Sequence, residues 1–244
     1  MKTLVLIPSR LSATRLPGKP LLKINGVSII SHVFKKAVDA NIGEVFVAAE
    51  DQEIIDDVKK NGGQAILTSS QHKTGTDRIH EVLQKIGKSD IDLIINLQGD
   101  EPLMNIEDIK KLHNQMIITE SELGTLAANI KDENLYNEQN VVKVETKESL
   151  ENYQFTKAIN FMRKSTIKKK NIYHHLGIYC YQVETLKNFV SLGQSQNEIK
   201  YKLEQLRALD NNININVSLA SNSPIGVDTK EDFMAIKKIM EYKS

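Results

Sequence analysis

Short apolar runs of strand length alternate with segments of helical periodicity through the first half of the chain, and that alternation leaves few folds open. Residues 3–7, 45–49, 65–67 and 93–97 are runs of mainly β-branched and aliphatic side chains. Between them, 27–40 places Ile29, Ile30, Val33, Phe34 and Ala37 on one helical face, 51–60 is helical until Gly62-Gly63 stops it, and 77–86 and 106–118 continue the pattern. Strands apolar at nearly every position need cover on both faces, so the pattern predicts an α/β protein with a mostly parallel sheet. Right-handed crossovers would then gather the loops after the strands along one edge, where ligands bind.

The rhythm changes in the second half. Residues 123–130, 141–146, 155–161 and 173–181 read as strands with no full helix between each pair, which predicts a partly antiparallel, β-rich lobe at about 130–190 inserted in the α/β core. A helix over 198–209, a strand over 213–219 and a closing helix from Thr229 follow. Without repeats or a low-complexity linker, 1–244 reads as one domain.

Charge narrows the function. The 32 basic and 31 acidic side chains leave a formal net charge of +1, which argues against binding nucleic acid or an anionic membrane as the main task. No apolar run reaches the roughly 20 residues of a membrane helix, and no signal peptide is read at the start, so the expected address is cytoplasmic. One cysteine, Cys180, excludes an internal disulfide framework and a zinc ribbon, and its place in a strand beside Tyr179 makes it core.

Against that neutral background the first 38 residues hold no Asp or Glu but carry Lys2, Arg10, Arg15, Lys19, Lys23, Lys35 and Lys36. The asymmetry centres on Pro8-Ser9-Arg10-Leu11-Ser12-Ala13-Thr14-Arg15-Leu16-Pro17-Gly18-Lys19, the loop after the first strand. Arg10, Arg15 and Lys19 can converge there on a polyphosphate, with Gly18 permitting close backbone approach; a solvated basic loop is the alternative. Neither a Walker loop nor a dinucleotide-binding glycine fingerprint is present.

Two carboxylates complement that loop. Asp100 directly follows the strand 93–97, and Asp228 lies in a Gly-Val-Asp-Thr turn before the last helix. If the turn folds back to the same edge, the pair can share a magnesium ion, which takes a few hard protein oxygens and completes its shell with phosphate. The competing reading of Asp228 is a helix N-cap with Glu231 as its capping-box partner.

Six segments in order resemble the 3-deoxy-manno-octulosonate (Kdo) cytidylyltransferases, the CMP-Kdo synthetases: the stretch from Ile7 to Leu21, Thr74-Gly75-Thr76-Asp77-Arg78, Asn96-Leu97-Gln98-Gly99-Asp100-Glu101-Pro102, His175-Leu176-Gly177-Ile178-Tyr179, Leu203-Glu204-Gln205-Leu206-Arg207, and Gly226 to Asp232. The resemblance covers nearly the whole chain. It implies a nucleotide-diphospho-sugar transferase-like three-layer α/β/α fold with a smaller β-rich dimerisation lobe, a homodimer, and formation of CMP-Kdo and diphosphate from CTP and Kdo for lipopolysaccharide biosynthesis. It further implies that Asp100 and Asp228 bind Mg2+, with Lys19 counted beside them as catalytic. Arg10, Arg15, Lys19, Gly75, Arg78 and Gln98 would bind the nucleotide, and Gln98, Arg163, His175, Tyr179, Glu204 and Gln205 the sugar acid. Structural alternatives stand beside these roles: Arg78 as an exposed helical partner of Glu81, His175 and Tyr179 as half-buried neighbours on one strand face, and Glu204 with Arg207 as a surface pair.

The chain departs from the family pattern on the sugar side. Met162 stands before Arg163 where a serine is usual, an Ile-Pro pair is missing, a basic loop runs through Lys168, Lys169 and Lys170, and Tyr201 replaces an acidic residue. A synthetase for another 2-keto-3-deoxy acid (8-amino-Kdo or a sialic-type acid) and a non-catalytic nucleotide-binding protein are the alternative functions.

Overall fold

The computed structural model describes residues 1–12, 15–165 and 170–242. Ala13 and Thr14 of the basic loop, and residues 166–169 with Lys168 and Lys169, lie outside the described residues. In chain order the elements are β1 (Thr3–Ser9), β2 (Lys23–Ile24), β3 (Val27–Ser28), α1 (Ile29–Asp39), β4 (Glu44–Ala49), α2 (Gln52–Lys60), β5 (Ala65–Leu67), α3 (Gly75–Ile86), β6 (Leu93–Asn96), α4 (Ile106–Thr119), β7 (Leu123–Ala128), β8 (Lys143–Thr146), β9 (Thr156–Met162), β10 (Ile172–Gln182), α5 (Val183–Ser191), α6 (Gln196–Tyr201), α7 (Leu206–Asp210), β11 (Ile215–Leu219) and α8 (Lys230–Glu241). The fold is mixed α/β, and it divides into two compact units.

One unit comprises Lys2–Ile91, Ile95–Ile106 and Pro224–Ser244. Its strands run in the order β5-β4-β1, followed by the second half of β6 (Ile95 and Asn96), with β1 parallel to β4 and β4 parallel to β5. The apolar run of β1 is buried from Thr3 to Ile7, as a strand covered on both faces requires. The expected helix over 27–40 starts two residues late. Asn25 and Gly26 both take positive φ (51° and 78°) and turn a small β2–β3 hairpin, the geometry an Asn-Gly pair favours. Ser28 then caps α1 by accepting from the Ser31 N–H at 3.2 Å. A separate apolar cluster of Ile24, Ile29, Val227 and Ile236, with Leu22, Leu103 and Phe233 packed on it, seats α8.

The other unit comprises Met1, Asp92–Ile94 and Glu107–Ser223. Its strands run β10-β7-β11-β9-β8, with β8 also pairing with β10. Only β7–β11 is parallel; β7–β10, β8–β9, β8–β10 and β9–β11 are antiparallel, so the change of rhythm read at 130–190 corresponds to antiparallel pairing of β8, β9 and β10. Cys180 is buried in β10, and burial holds its thiol far above the usual range, as an inert core residue.

Two expectations need correction here. The helix read at 198–209 is two helices, α6 and α7, separated where Lys202 takes a left-handed conformation (φ 54°). Helix α5 was not anticipated at all; it opens at Gln182 without a side-chain cap.

Candidate functional site

In the first unit a cleft of about 370 Å³ opens at the C-terminal ends of the parallel strands. Its walls come from the loop after β1 (Arg10, Arg15, Lys19), the segment after β5 (His72 to Gly75), the segment after β6 (Gln98 to Asp100), and Asp228 before α8. This is the edge where an open parallel sheet leaves room for a ligand.

The basic loop is shaped by its backbone. Gly18 sits at φ 71°, in the left-handed region, and starts a 3-10 turn over Lys19–Leu21 with Pro20 near its head. The Gly18 N–H donates to the Leu11 carbonyl at 3.0 Å, and the Leu11 N–H donates to Asp51 at 2.8 Å, tying both ends of the loop to the scaffold. Lys19 is thereby aimed at the carboxylates: its Nζ lies 2.5 Å from Asp100 Oδ2, 2.9 Å from the Val227 carbonyl and 3.4 Å from Asp228 Oδ1. Arg15 reaches the other oxygen of Asp228 at 3.1 Å. Arg10 lines the same cleft.

Asp228 is not a helix N-cap. Thr229 takes that position, accepting from the Asp232 N–H at 3.1 Å while the Asp232 carboxylate accepts from the Thr229 N–H at 2.9 Å. The capping box is therefore Thr229/Asp232 rather than Asp228/Glu231, and the Asp228 carboxylate is left facing the cleft.

Asp100 and Asp228 converging on one ammonium are a donor set that fits a divalent cation: two hard carboxylates close enough to share a positive centre. Among the described residues no three His, Cys, Asp or Glu side chains are grouped to hold a metal alone, so the remaining ligands would have to be phosphate oxygens and water. A third carboxyl, Glu101, stands beside the pair. Burial first, and then the negative charges of Asp100 and Asp228, push it up to about 8 against the opposing effect of Lys19, and its Oε2 is buried without a hydrogen-bond partner. Sequence reasoning passed over Glu101, although three acidic residues meeting near one lysine is a pattern that burial alone reveals.

Helix α3 points its N-terminus at the cleft. Thr74 caps it through the Asp77 N–H at 3.1 Å, and Gly75 is its first residue. A Cβ at Gly75 would lie 3.1 Å from Pro8 Cγ, so the glycine lets the helix start pack against the end of β1. Open N–H groups and the helix dipole make this a favourable place for an anion.

Arg78 is not an exposed partner of Glu81. It is 3% exposed; its Nη1 donates to Thr68 Oγ1 at 2.7 Å and to the Ser69 carbonyl at 3.3 Å, and its Nη2 pairs with Glu50. Glu81 instead accepts from His72 Nε2 at 2.5 Å, from the Ser69 N–H at 2.8 Å, and pairs with Lys85 at 2.7 Å. Burial opposes the Glu81 charge, but Lys85, Ser69 and His72 outweigh it and lower the carboxyl to about 2. These contacts fold the 68–74 segment over α3 and bring His72 and Lys73 to the cleft wall, two lining residues the sequence reading missed. Gln98 Nε2 donates to Asn96 Oδ1 at 3.2 Å beside them.

The five residues expected at the sugar acid lie in the second unit. His175 and Tyr179 share a face of β10, their ring centroids 5.4 Å apart, and Phe161 meets the imidazole edge-on at 5.0 Å. The Thr125 hydroxyl donates to the Ile178 carbonyl at 2.6 Å and so accepts from His175 Nε2 at 3.0 Å, which puts the imidazole hydrogen on Nε2. Burial, then His174, lowers His175 to about 3, so it is neutral. Burial, with Tyr181 and Glu204, raises the Tyr179 hydroxyl above its ordinary value, which puts Glu204 within electrostatic reach of that ring. Gln205 is buried at the head of α7. Arg163 donates to three backbone carbonyls: Nε to Tyr201 at 3.0 Å, Nη1 to Gln139 at 3.1 Å and Nη2 to Lys202 at 2.8 Å. Glu204 and Arg207 are not a surface pair, because Arg207 is buried in a two-pronged ion pair with Glu198, at 2.8 and 2.6 Å.

The sequence and fold have close counterparts. A cytidylyltransferase family model matches residues 4–215. A 3-deoxy-manno-octulosonate cytidylyltransferase of Thermodesulfovibrio yellowstonii is 42% identical, with 98% of each chain covered. One of the same description from Rhodopseudomonas palustris strain BisB5 is 41% identical, again with 98% of each covered. Among solved structures, CMP:2-keto-3-deoxy-manno-octonic acid synthetase complexed with CTP superposes with a TM-score of 0.89 at 33% identity, over the full length of both chains. A cytidylyltransferase from Leptospira borgpetersenii shares the fold at a TM-score of 0.65 and 18% identity, covering 99% of this chain and 87% of that one.

Proposed function

Because the chain belongs to the 3-deoxy-manno-octulosonate cytidylyltransferase family, we propose that it couples CTP to 3-deoxy-D-manno-octulosonate, or to a close variant such as the 8-amino sugar, giving the CMP-sugar and diphosphate. The observation that carries this reading is the cleft that faces Arg10, Arg15, Lys19 and the α3 N-terminus toward the Asp100–Asp228 pair. Cations for a triphosphate and carboxylates for a metal on one sheet edge are what nucleotidyl transfer needs.

The C2 hydroxyl oxygen of the sugar acid attacks the α-phosphorus in line, the bond from that phosphorus to the bridging oxygen breaks, and diphosphate departs with the electron pair while the hydroxyl proton passes to solvent. Lys19 and Arg15, already held at the carboxylates, and Arg10 beside them neutralise the charge that grows on diphosphate. The open N–H groups of α3 add to this at the phosphates. Gly75, Arg78 and Gln98 form the nucleotide side, with Arg78 firming the wall through Glu50 and Thr68. Mg2+, held by Asp100 and Asp228, would supply charge neutralisation at the phosphate and acidify the attacking hydroxyl. On the sugar side, neutral His175 offers Nδ1 as an acceptor, Tyr179, Glu204 and Gln205 meet hydroxyls, and Arg163 keeps a second hydrogen on each Nη for the sugar carboxylate. The reading extends to one three-layer nucleotidyltransferase domain over 1–244, acting as a cytoplasmic homodimer through a β-rich lobe at about 130–190, with its product feeding lipopolysaccharide biosynthesis.

The test is diphosphate release with Mg2+ or with EDTA, crossing CTP, UTP and ATP with Kdo, 8-amino-Kdo and N-acetylneuraminate. Mg2+-dependent release with CTP and an octulosonate alone is expected, and the preferred octulosonate identifies the acceptor. No release from any pair, with CTP bound, would refute the reading and favour a nucleotide-binding protein without turnover.

A further inference from the structure

Lys143, on β8, is among the largest side chains of the described residues with no solvent exposure. A fully buried lysine is rare without a partner of matching charge, because its ammonium loses its water. Here its Nζ is satisfied by three backbone carbonyls: Glu138 at 2.6 Å, Val141 at 2.8 Å and Arg163 at 2.9 Å. Burial lowers the ammonium to about 8, with Glu138 working against that fall, so all three hydrogens remain at neutral pH.

The segment these bonds hold is tied on every side. Of its carbonyls, Glu138 and Val141 accept from Lys143, Gln139 accepts from Arg163 Nη1 at 3.1 Å, and Val142 accepts from the His175 N–H at 2.9 Å. Arg163, whose own carbonyl Lys143 holds, also binds the carbonyls of Tyr201 and Lys202, where the chain turns through the left-handed Lys202 toward Glu204 and Gln205. The backbone supporting Arg163, His175, Glu204 and Gln205 thus meets at one hub.

Given the sugar side proposed above, we infer that Lys143 is a positioning residue for the sugar acid: its ammonium fixes the 138–142 segment and the end of β9, and through them sets Arg163, His175 and the turn before Glu204. The Lys143 side chain is itself fully buried, so the three bonds are made from inside the fold. A neutral methionine of similar length would leave three acceptors without their donor, and the hub would open. Thr74, Gly75, Asp100 and Asp228 belong to the other compact unit, so nucleotide binding is expected to survive the change.

The test compares wild type with Lys143→Met, Lys143→Arg, Arg163→Gln and the Lys143→Met/Arg163→Gln double variant. It measures the KM for the octulosonate, CTP binding by calorimetry, and thermal unfolding. Lys143→Met is expected to raise the sugar KM at least tenfold with the CTP Kd within twofold of wild type, and its effect is expected to be non-additive with Arg163→Gln. Should Lys143→Met not fold, Lys143→Arg is read instead. It keeps the charge but cannot aim three hydrogens from one atom, so a rise in sugar KM with unchanged CTP binding is again expected. A sugar KM within twofold of wild type in a folded variant, or equal weakening of sugar and CTP, would overturn the positioning role. Absence of turnover in wild type itself would overturn the proposed reaction and this role with it.

Discussion

Replacing Glu198 by glutamine is expected to cost about 3–5 kcal/mol of stability. The Glu198 carboxylate accepts four donors. Oε1 takes Arg207 Nη2 at 2.6 Å and Gln194 at 3.2 Å, while Oε2 takes Arg207 Nε at 2.8 Å and the Ser195 N–H at 3.2 Å. A glutamine carries only one oxygen, so whichever way the amide turns, its NH2 faces two donors. The guanidinium meanwhile stays buried, with both side chains of the pair 4% exposed, and stacked 4.6 Å over Phe189. Breaking one member of such a pair strands the other charge, and against a total of about 5–15 kcal/mol that loss is large. Urea unfolding followed by circular dichroism would read it as a midpoint lower by about 1–2 M. Acid should reproduce the effect in wild type. The Glu198 carboxyl is depressed: burial resists the charge, but Arg207, Gln194 and Ser195 more than offset it. Its stabilisation is therefore complete above the unfolded carboxyl value and lost as pH falls through the lower folded one. A loss below about 1 kcal/mol on Glu198→Gln would refute the reasoning, since it would mean that the pair is solvated or unmade. Apolar replacement of both partners, Glu198→Leu with Arg207→Met, should recover most of the loss.

Other consequences are equally direct. Asp228→Asn should lower diphosphate release by roughly 10²-fold or more, by analogy with removal of a single charge-stabilising group, while thermal unfolding stays near wild type because Thr229 and Asp232 hold the start of α8. Gly99→Ala would set a Cβ 2.9 Å from the Pro8 carbonyl and 3.0 Å from Ile30 Cδ1, so a loss of about 1–3 kcal/mol is expected, with turnover falling as Asp100 shifts; unchanged melting would refute the contact. Glu101 has its folded value raised to about 8 from 4.5, so the native state holds a proton the unfolded chain has lost. Stability should therefore fall as pH rises from about 5 to 8, and Glu101→Gln should flatten that slope in urea midpoints taken across the range.

The parts legible in the sequence are those fixed by local pattern. The apolar runs of β1, β4 and β6 and the helices between them were readable because burial on both faces leaves few polar positions. The cationic loop stood out because a stretch without acids is visible by composition, and the structure brings Arg10, Arg15 and Lys19 to one cleft with Asp100 and Asp228. What escaped depends on partners distant in the chain. Arg78 read as a surface residue because Glu81 lies three positions on, but its ion-pair partner is Glu50, 28 residues away. Arg207 likewise looked like a partner for Glu204 and belongs to Glu198. The break at Lys202 could not be read because a left-handed lysine carries no glycine or asparagine signal. The β2–β3 hairpin could have been: Asn25-Gly26 states it.

The start of α8 shows how closely two separate demands, a closed helix end and a carboxylate facing the cleft, can be interleaved while remaining independent. Within five residues, Thr229 and Asp232 close the helix by bonding to each other, and Asp228 is released to face the cleft. Architecture and chemistry are therefore written in separate letters of the same short word. A saturation library scored once for cellular abundance and once for turnover should split this segment, with Thr229 and Asp232 depleted in the first channel and Asp228 only in the second. On the proposed reaction, a change at Asp228 alone removes turnover and keeps the helix, so loss of activity here is a single-step change that leaves the folded protein in place.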